Sequence, residues 1–185
     1  MKRQTLALRL AMVAAALLLS GAAQADGLVT NGGFETGDFT GWTQFGNTGF
    51  SGVDDNNPHS GSFAAFFGPV GSLGGISQAI ATNPGGQYAV DFWLANEGGT
   101  PSEFVFNWDG GVAETDLVNP GAFGYTHFTY NLTATLPSTL ISFSFRQDPA
   151  FLFLDDVRVV PEPTTLALLG LGLAGLGFAR RKNAC

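Results

Sequence analysis

Short segments of alternating apolar and polar residues are the feature that most constrains the fold of this chain. Runs rich in Phe, Val, Thr and Tyr recur through the middle of the sequence, and clusters of Gly, Asn, Asp and Pro separate them. A period of two places successive side chains on opposite faces of a strand, and no segment of this middle region sustains the period of an amphipathic helix. The sequence therefore predicts an all-β domain.

Eight candidate strands follow from this pattern, and eight strands with frequent turns are typical of a two-sheet jelly-roll sandwich. They are Leu28–Phe34, Ser62–Phe67, Ile76–Ala81, Gln87–Ala95, Glu103–Trp108, Tyr125–Ala134, Leu140–Arg146 and Phe151–Val159. Seven apolar residues at alternate positions of two of these strands are the predicted core: Tyr88, Val90, Phe92, Leu94, Ile141, Phe143 and Phe145. Residues 47–58 are predicted to form a long polar loop.

The N-terminus has the three parts of a secretory signal peptide. Lys2 and Arg3 form a basic region, Leu10–Leu19 is apolar and uncharged, and Ala23-Gln24-Ala25 is an A-x-A cleavage site. We expect export through the Sec machinery and a mature chain that begins near Asp26. Residues 1–25 are therefore a signal helix and not part of the fold.

The C-terminus combines an apolar segment with a basic end. Leu166–Ala179 carries no charge, and Arg180, Arg181 and Lys182 follow it directly. As a helix this segment would span about 21 Å, which is short beside a hydrocarbon core of about 30 Å. The positive-inside rule keeps the basic cluster in the cytoplasm. The sequence thus predicts an exported domain over 26–160 and a transmembrane helix with a basic tail within 161–185.

Three elements at this end, in order, resemble the PEP-CTERM sorting signal: Pro161-Glu162-Pro163, the apolar segment, and Arg180-Arg181-Lys182. The resemblance implies processing near Pro-Glu-Pro by an exosortase-type enzyme in a Gram-negative bacterium that makes exopolysaccharide. It also implies transient residence in the inner membrane and delivery to the cell surface or extracellular matrix. Cys185 departs from the usual basic ending, and both a lipidation site and an inert thiol on a discarded tail are open interpretations.

The charge of the middle region excludes one class of partner. Residues 26–160 hold 14 acidic residues and two basic ones, Arg146 and Arg158, which gives a net charge of −12. Such a domain lacks the cations that contact phosphates, so it does not bind nucleic acid, and anionic lipid head groups repel it. The single Cys185 rules out a disulfide framework within the chain.

Three landmarks of the middle region resemble a galactose-binding-like jelly roll of the kind found in carbohydrate-binding modules. They are Asn31-Gly32-Gly33-Phe34-Glu35 followed by Gly41-Trp42, then His59-Ser60-Gly61-Ser62, then Phe153-Leu154-Asp155-Asp156-Val157. The resemblance implies a structural calcium ion on Glu35 and Asp156, with backbone carbonyls near His59–Ser62 as further ligands. Calcium prefers such hard oxygen ligands. Solvated or turn-capping acids are the alternative, and residues 54–57 form a second, less suitably spaced oxygen cluster.

A sugar-binding face is the second site prediction. Alternation places Asp91 and Trp93 opposite the core on their strand, and Asn107 and Arg146 on the corresponding faces of two others. These four side chains are predicted to line one concave face. An ion pair of Arg146 with Asp91 or Asp148 is the alternative role for this arginine. Trp42 and Trp108 fit a core or rim position as well as a ligand platform.

Catalysis is not expected. The two histidines, His59 and His127, occupy no recognisable catalytic motif, and a pair of acids can be found by chance among so many. The sequence predicts an exported, non-catalytic surface or matrix protein that associates with extracellular polysaccharide. The alternative is a purely structural acidic matrix protein that binds no glycan specifically.

Overall fold

The computed structural model describes residues 27–162, which form ten β-strands and no helix. No helix within this range is long and apolar enough to cross a bilayer. The predicted signal peptide with Ala23 and Ala25, and the sorting residues from Pro163 through Arg180, Arg181 and Lys182, lie outside the described residues.

The ten strands form two five-stranded antiparallel sheets. They are β1 (Thr43–Gly46), β2 (Ser51–Asp54), β3 (Ala64–Phe67), β4 (Gly74–Ala81), β5 (Gln87–Asn96), β6 (Ser102–Trp108), β7 (Ala113–Val118), β8 (Phe123–Thr133), β9 (Ser138–Gln147) and β10 (Leu152–Pro161). Sheet A has the order β1-β4-β9-β6-β7, and sheet B has the order β2-β3-β10-β5-β8. The prediction of an all-β, two-sheet sandwich is confirmed.

Phenylalanine dominates the core between the sheets. The seven core residues predicted from alternation are all buried. Phe92 of sheet B packs against Phe104, Phe106 and Phe143 of sheet A, and Phe67 stacks on Phe145 at 3.8 Å between ring centroids. Contacts between rings of opposite sheets therefore hold the two layers together.

Two of the three tryptophans belong to the core. Trp42 and Trp108 are 8% and 5% exposed, and each indole N–H donates to a backbone carbonyl, of Asn31 and Thr133 respectively. Buried indoles require such a partner because they carry one N–H donor. Neither ring is a platform for a ligand.

The predicted strand over Leu28–Phe34 is wrong. This segment forms turns, in which Asn31 and Phe34 have φ angles of 53° and 56°, and the N–H of Phe34 donates to the carbonyl of Asn31. Positive φ values break a strand. The segment still runs along β10, because the N–H of Leu28 donates to the carbonyl of Val159 and that of Val157 to Gly32.

Three strands were not predicted from the sequence. β1, β2 and β7 are four, four and six residues long, and β2 lies within the predicted loop over 47–58. Their residues are at least partly exposed and include no continuous apolar face. Short edge strands are held by pairing with a neighbour, which composition alone does not reveal.

The last strand leads directly into the predicted sorting signal. β10 lies in the centre of sheet B and pairs with β5 as far as Pro161, opposite Tyr88. The N–H of Glu162 then donates to the carbonyl of Gln87. Pro161 and Glu162 are thus held against the domain.

Candidate functional site

The four residues predicted to line one sugar-binding face lie on two different sheets. β5 pairs with β10 and β8 in sheet B, whereas β6 and β9 pair with each other in sheet A. Asp91 and Trp93 therefore occupy the outer face of sheet B, and Asn107 and Arg146 that of sheet A. The prediction of a shared face is wrong because strand alternation assigns each residue a face of its strand but does not assign the strand to a sheet.

The outer face of sheet B carries an aromatic stack that we call the ring cluster: His59, Trp93, Tyr125 and His127. Trp93 stacks against His59 at 3.9 Å and 17° and against His127 at 4.7 Å and 13°. Tyr125 meets His59 edge to face at 5.1 Å. An imidazole therefore covers each face of the Trp93 indole, and neither face is free to stack on a sugar ring.

Each imidazole of the ring cluster has a carboxylate partner. Nδ1 of His59 lies 2.6 Å from Oδ2 of Asp156, and Nε2 of His127 lies 3.4 Å from Oδ1 of Asp91. A histidine oriented by an aspartate supplies two of the three groups of a nucleophilic triad. The nearby Ser60 hydroxyl, however, donates to Asp156 at 2.7 Å. The arrangement is thus that of a packed, hydrogen-bonded histidine.

Asp155 lies beneath the ring cluster with no exposed surface. Its carboxylate accepts hydrogen bonds from the backbone N–H groups of His59, Ser60 and Asp156. Burial raises its pKa from 3.8 to about 6, against the opposing effect of these N–H donors. Burial likewise raises the pKa of Tyr125, with further contributions from the negative charges of Asp155 and Asp156.

An irregularity in β10 brings two consecutive aspartates to one loop. The register with β5 shifts between Asp155 and Arg158, and Asp156 has a φ of 51°. In a regular strand the two side chains would point to opposite faces. Here both carboxylates reach residues 59–60. Non-glycine residues with positive φ are uncommon, and this one sits where the loop is anchored.

The predicted calcium ligands Glu35 and Asp156 both bind the loop over 59–63. Glu35 accepts the N–H groups of Ser62 and Phe63, and its carboxylate packs on Gly61, whose φ is 63°. The donor chemistry fits calcium, since both acids offer hard oxygens at one loop. The loop contributes N–H groups at these contacts, whereas carbonyls were expected. Within residues 27–162, no three His, Cys, Asp or Glu side chains cluster with metal-binding geometry, so further ligands would be carbonyls and water.

The outer face of sheet A has a different character, and we call it the serine trough. Its floor consists of small residues at paired positions of the central strand β9 and its neighbour β4: Gly75, Ser77, Ser142 and Ser144. Phe45 of β1 lies across Gly75, with its Cζ 2.9 Å from where a Cβ of residue 75 would lie. Val105 and Asn107 of β6 form the other side. Three strand spacings, about 14 Å, separate the backbones of β1 and β6, and the Phe45 ring covers the β4 side of this span.

Polar groups in the serine trough are available to a ligand. The hydroxyls of Ser142 and Ser144 are half-exposed and have no hydrogen-bond partner among the described residues. The Asn107 amide donates to the carbonyl of Gly111, which leaves its own oxygen free of described partners. Hydroxyl and amide groups beside an aromatic ring are the usual composition of a site that orients a polar ligand.

Arg146 lies at one end of the serine trough and forms the ion pair anticipated as its alternative role. Its Nη2 donates to Oδ2 of Asp148 at 3.1 Å, while its Nε is buried without a partner among the described residues. Asp148 in turn accepts the N–H of Gly71. The arginine is therefore paired with a carboxylate that itself holds the loop at Gly71.

Sequence reasoning missed Phe45, Tyr125 and the pairing of both histidines with Trp93. Phe45 lies in a four-residue strand that the pattern did not reveal. His59 comes from a loop 34 residues before Trp93, so no local spacing links them. The predicted strand Tyr125–Ala134 did contain both Tyr125 and His127, and this was the one available signal.

Comparison with known proteins identifies a sequence motif at the C-terminal end and a set of structures with a similar fold. Residues 159–182 match the PEP-CTERM protein-sorting motif. No curated protein matches the chain. The structure is similar to TmCBM61, solved in complex with β-1,4-galactotriose, with a TM-score of 0.62 at 22% identity over 75% of this chain and all of that one.

Two further similar structures frame the comparison. The CBM22-1 xylan-binding domain from Paenibacillus barcinonensis Xyn10C has a TM-score of 0.51 at 16% identity, over 70% of this chain and 90% of that one. The enzymatically active domain of the bacteriophage CBA120 tailspike protein 4 has a TM-score of 0.52 at 17% identity, but the match covers 74% of this chain and 21% of that one. The sandwich is thus the fold of carbohydrate-binding modules, which also occurs within larger enzymes.

Proposed function

We propose that this protein is an exported, non-catalytic module that binds extracellular polysaccharide in the serine trough. The observation that carries the proposal is the trough itself, a floor of small hydroxylated residues with one aromatic ring at its side. Sugars offer C–H faces to such a ring and hydroxyls to such a floor. The fold shared with carbohydrate-binding modules supports this assignment.

Charge limits the glycan to a neutral polysaccharide. Glu103 of β6 lies opposite Arg146, and Asp116 lies on β7 beyond it. Arg146 is already paired with Asp148. An anionic polymer would meet like charges without a free cation to compensate them. Uronate-rich chains are therefore poor ligands.

Calorimetric titration of the purified chain tests this function. The probes are β-1,4-galacto-oligosaccharides, xylo-oligosaccharides and alginate as the anionic polymer. We expect a neutral oligosaccharide to bind and alginate not to bind. Phe45→Ala should weaken binding about tenfold, the loss of one well-placed aromatic contact.

Trp93→Ala is the matched control, because Trp93 is an outward aromatic residue of the other sheet. It should leave the affinity within twofold of the unchanged chain. Equal losses in both variants, or binding of alginate alone, would refute the trough as the site. If no glycan binds, the purely structural acidic matrix protein is the better description.

A structural calcium ion on Glu35 and Asp156 is part of the proposal. It is supported by the convergence of both carboxylates on one loop. Calcium should raise the melting temperature relative to excess chelator. At a hundredfold excess over its dissociation constant, it should add about 2.7 kcal/mol to the free energy of unfolding. Glu35→Gln should abolish the rise and Asp116→Asn should not. An unchanged melting temperature in millimolar calcium would remove the ion from the proposal.

Delivery completes the proposal. After Sec export, the chain resides in the inner membrane of a Gram-negative bacterium until an exosortase-type enzyme processes it, and it then reaches the surface or matrix. The sorting motif supports this order. Intact-mass measurement of the protein from the culture surface should find a C-terminus near Pro161–Pro163. A secreted chain that still ends at Cys185 would refute the processing step.

A further inference from the structure

The four edge strands of the described sandwich differ in how they are protected from pairing with another chain. β1 and β2 are four residues long, and β7 carries Glu114 and Asp116. Short length and charge are the usual means by which an edge is kept from self-association. Three of these edges thus have a recognised form of protection.

β8 is the exception. It runs for 11 residues as FGYTHFTYNLT, with no Asp, Glu, Lys, Arg or Pro, and within sheet B it pairs with β5 alone. Its register with β5 is continuous from Thr126 to Thr133, so this part has no bulge that would turn the edge away. Three exposed side chains, His127, Thr129 and Asn131, alternate along it with the half-buried Phe128 and Tyr130.

The charge distribution favours a second copy of this chain as the partner that pairs with the β8 edge. Two copies of a domain with a net charge of −12 over residues 26–160 repel each other at most orientations. An uncharged strand minimises that repulsion where the copies touch. It is also complementary to itself, because two identical strands in antiparallel order exchange the same backbone hydrogen bonds.

We propose that two copies of this protein pair through β8, antiparallel and centred on Thr129, so that their B sheets form one continuous ten-stranded sheet. Residues that face each other across such a pair share a face of the sheet. The register sets His127 opposite Asn131 and Phe128 opposite Tyr130. The sugar-binding serine troughs lie on the other sheet of each copy, so that a dimer presents two of them.

Disulfide trapping tests the pairing directly. The test uses the full chain with Cys185→Ser, to which Thr129→Cys is added. In the proposed dimer, residue 129 of one copy lies directly opposite residue 129 of the other. The Cα atoms of such opposed residues lie about 4.5–5.5 Å apart, which is within reach of a disulfide. We expect mild oxidation to convert most of this variant to a covalent dimer. Ser142→Cys in the same background, on the outer face of sheet A, is the control and should stay monomeric. Equal yields from the two variants would overturn the proposal.

Sedimentation of the full chain against concentration gives the second measurement. Wild-type protein should sediment as a dimer, and Asn131→Lys should weaken its association at least tenfold by placing a charge on each side of the axis. Val118→Lys adds the same charge to the β7 edge and should leave the association unchanged; all three proteins share the same tail. β8 pairing would be refuted if the wild-type protein sedimented as a monomer. It would also be refuted if Val118→Lys weakened the association and Asn131→Lys did not. The β8 edge would then belong to another occupant.

Discussion

The ring cluster and the serine trough occupy equivalent outer faces of the two sheets, yet they have opposite character. On sheet B, the outward Trp93 is covered on both sides and every nearby carboxylate is hydrogen-bonded. On sheet A, the floor residues of β4 and β9 are small, and the hydroxyls of Ser142 and Ser144 remain without described partners. The face with the larger aromatic residue is therefore the poorer place for a ligand.

The loop over residues 55–63 accounts for this difference. It folds over sheet B, where His59 stacks on Trp93 and the backbone N–H groups bind Asp155 and Glu35. On sheet A, the Phe45 ring covers Gly75, but Ser142 and Ser144 stay half-exposed. Aromatic residues thus identify a binding face only when the surrounding loops leave their rings free.

Asp155→Ala should cause the largest effect in this comparison. The partly buried backbone N–H groups of His59, Ser60 and Asp156 lose their acceptor, which we expect to cost about 3–5 kcal/mol of unfolding free energy. Urea unfolding at pH 5, monitored by tryptophan fluorescence, measures this loss of stability. Ser144→Ala in the trough is the matched control and should change stability by less than about 0.5 kcal/mol. Similar losses in both would show that sheet B is not the more tightly organised face.

The pH dependence of stability should come from the same carboxyl group. Its folded-state pKa of about 6 exceeds the unfolded value of 3.8, so the native state retains a proton that the unfolded chain releases. The unfolding free energy should therefore fall as pH rises from about 4 to about 6, by roughly 3 kcal/mol, and then level off. Denaturant titrations in chelator across this range test it. Asp155→Asn should flatten the profile, and a rise in stability over the same range would contradict the assignment.

Gly61→Ala should have an intermediate effect. Gly61 has a φ of 63°, and a Cβ there would overlap the Glu35 carboxylate. Backbone strain and the displaced acid should together cost about 1–3 kcal/mol. Gly121→Ala is the control, because nothing lies within 4 Å of its Cβ position. Equal melting temperatures for the two variants would mean that the loop does not depend on this glycine.

Asn107→Ala should have the smallest effect, confined to binding. Asn107 is half-exposed and its amide bonds a nearby loop carbonyl, so its loss should leave the melting temperature within about 2 °C. Affinity for the neutral oligosaccharide should fall about threefold to tenfold through a lost hydrogen bond. An unchanged affinity in the calorimetric titration would place the ligand away from the β6 side of the trough.

The sequence revealed the fold class and the core because both depend on local alternation. Phe92, Phe143 and Phe145 are buried as their pattern predicts. The turns over 28–34 were mistaken for a strand, since positive φ at Asn31 and Phe34 is set by contacts with the rest of the chain. The short edge strands were missed because pairing, and not composition, defines them.

The outward position of single residues was predictable from the sequence, but the candidate site as a whole was not, since Phe45 and the small residues of β4 were missed. Trp93 and Asp91 do face outward together, and so do Asn107 and Arg146. Their division between two sheets is a matter of topology, which alternation does not encode. Likewise, the stacking of His59 on Trp93 depends on how a distant loop folds back.

The continuity of β10 with the sorting motif has a mechanical consequence. β10 is the middle strand of its sheet, and beyond Pro161 the chain is fastened once more by Glu162 to Gln87. Tension on the tail would act along this strand and load its hydrogen bonds to β5 in shear. These hydrogen bonds would then have to break together and not one after another. The tail thus continues from the middle strand of sheet B, and a pull on it would be resisted by the hydrogen bonds of β10 to both β5 and β3.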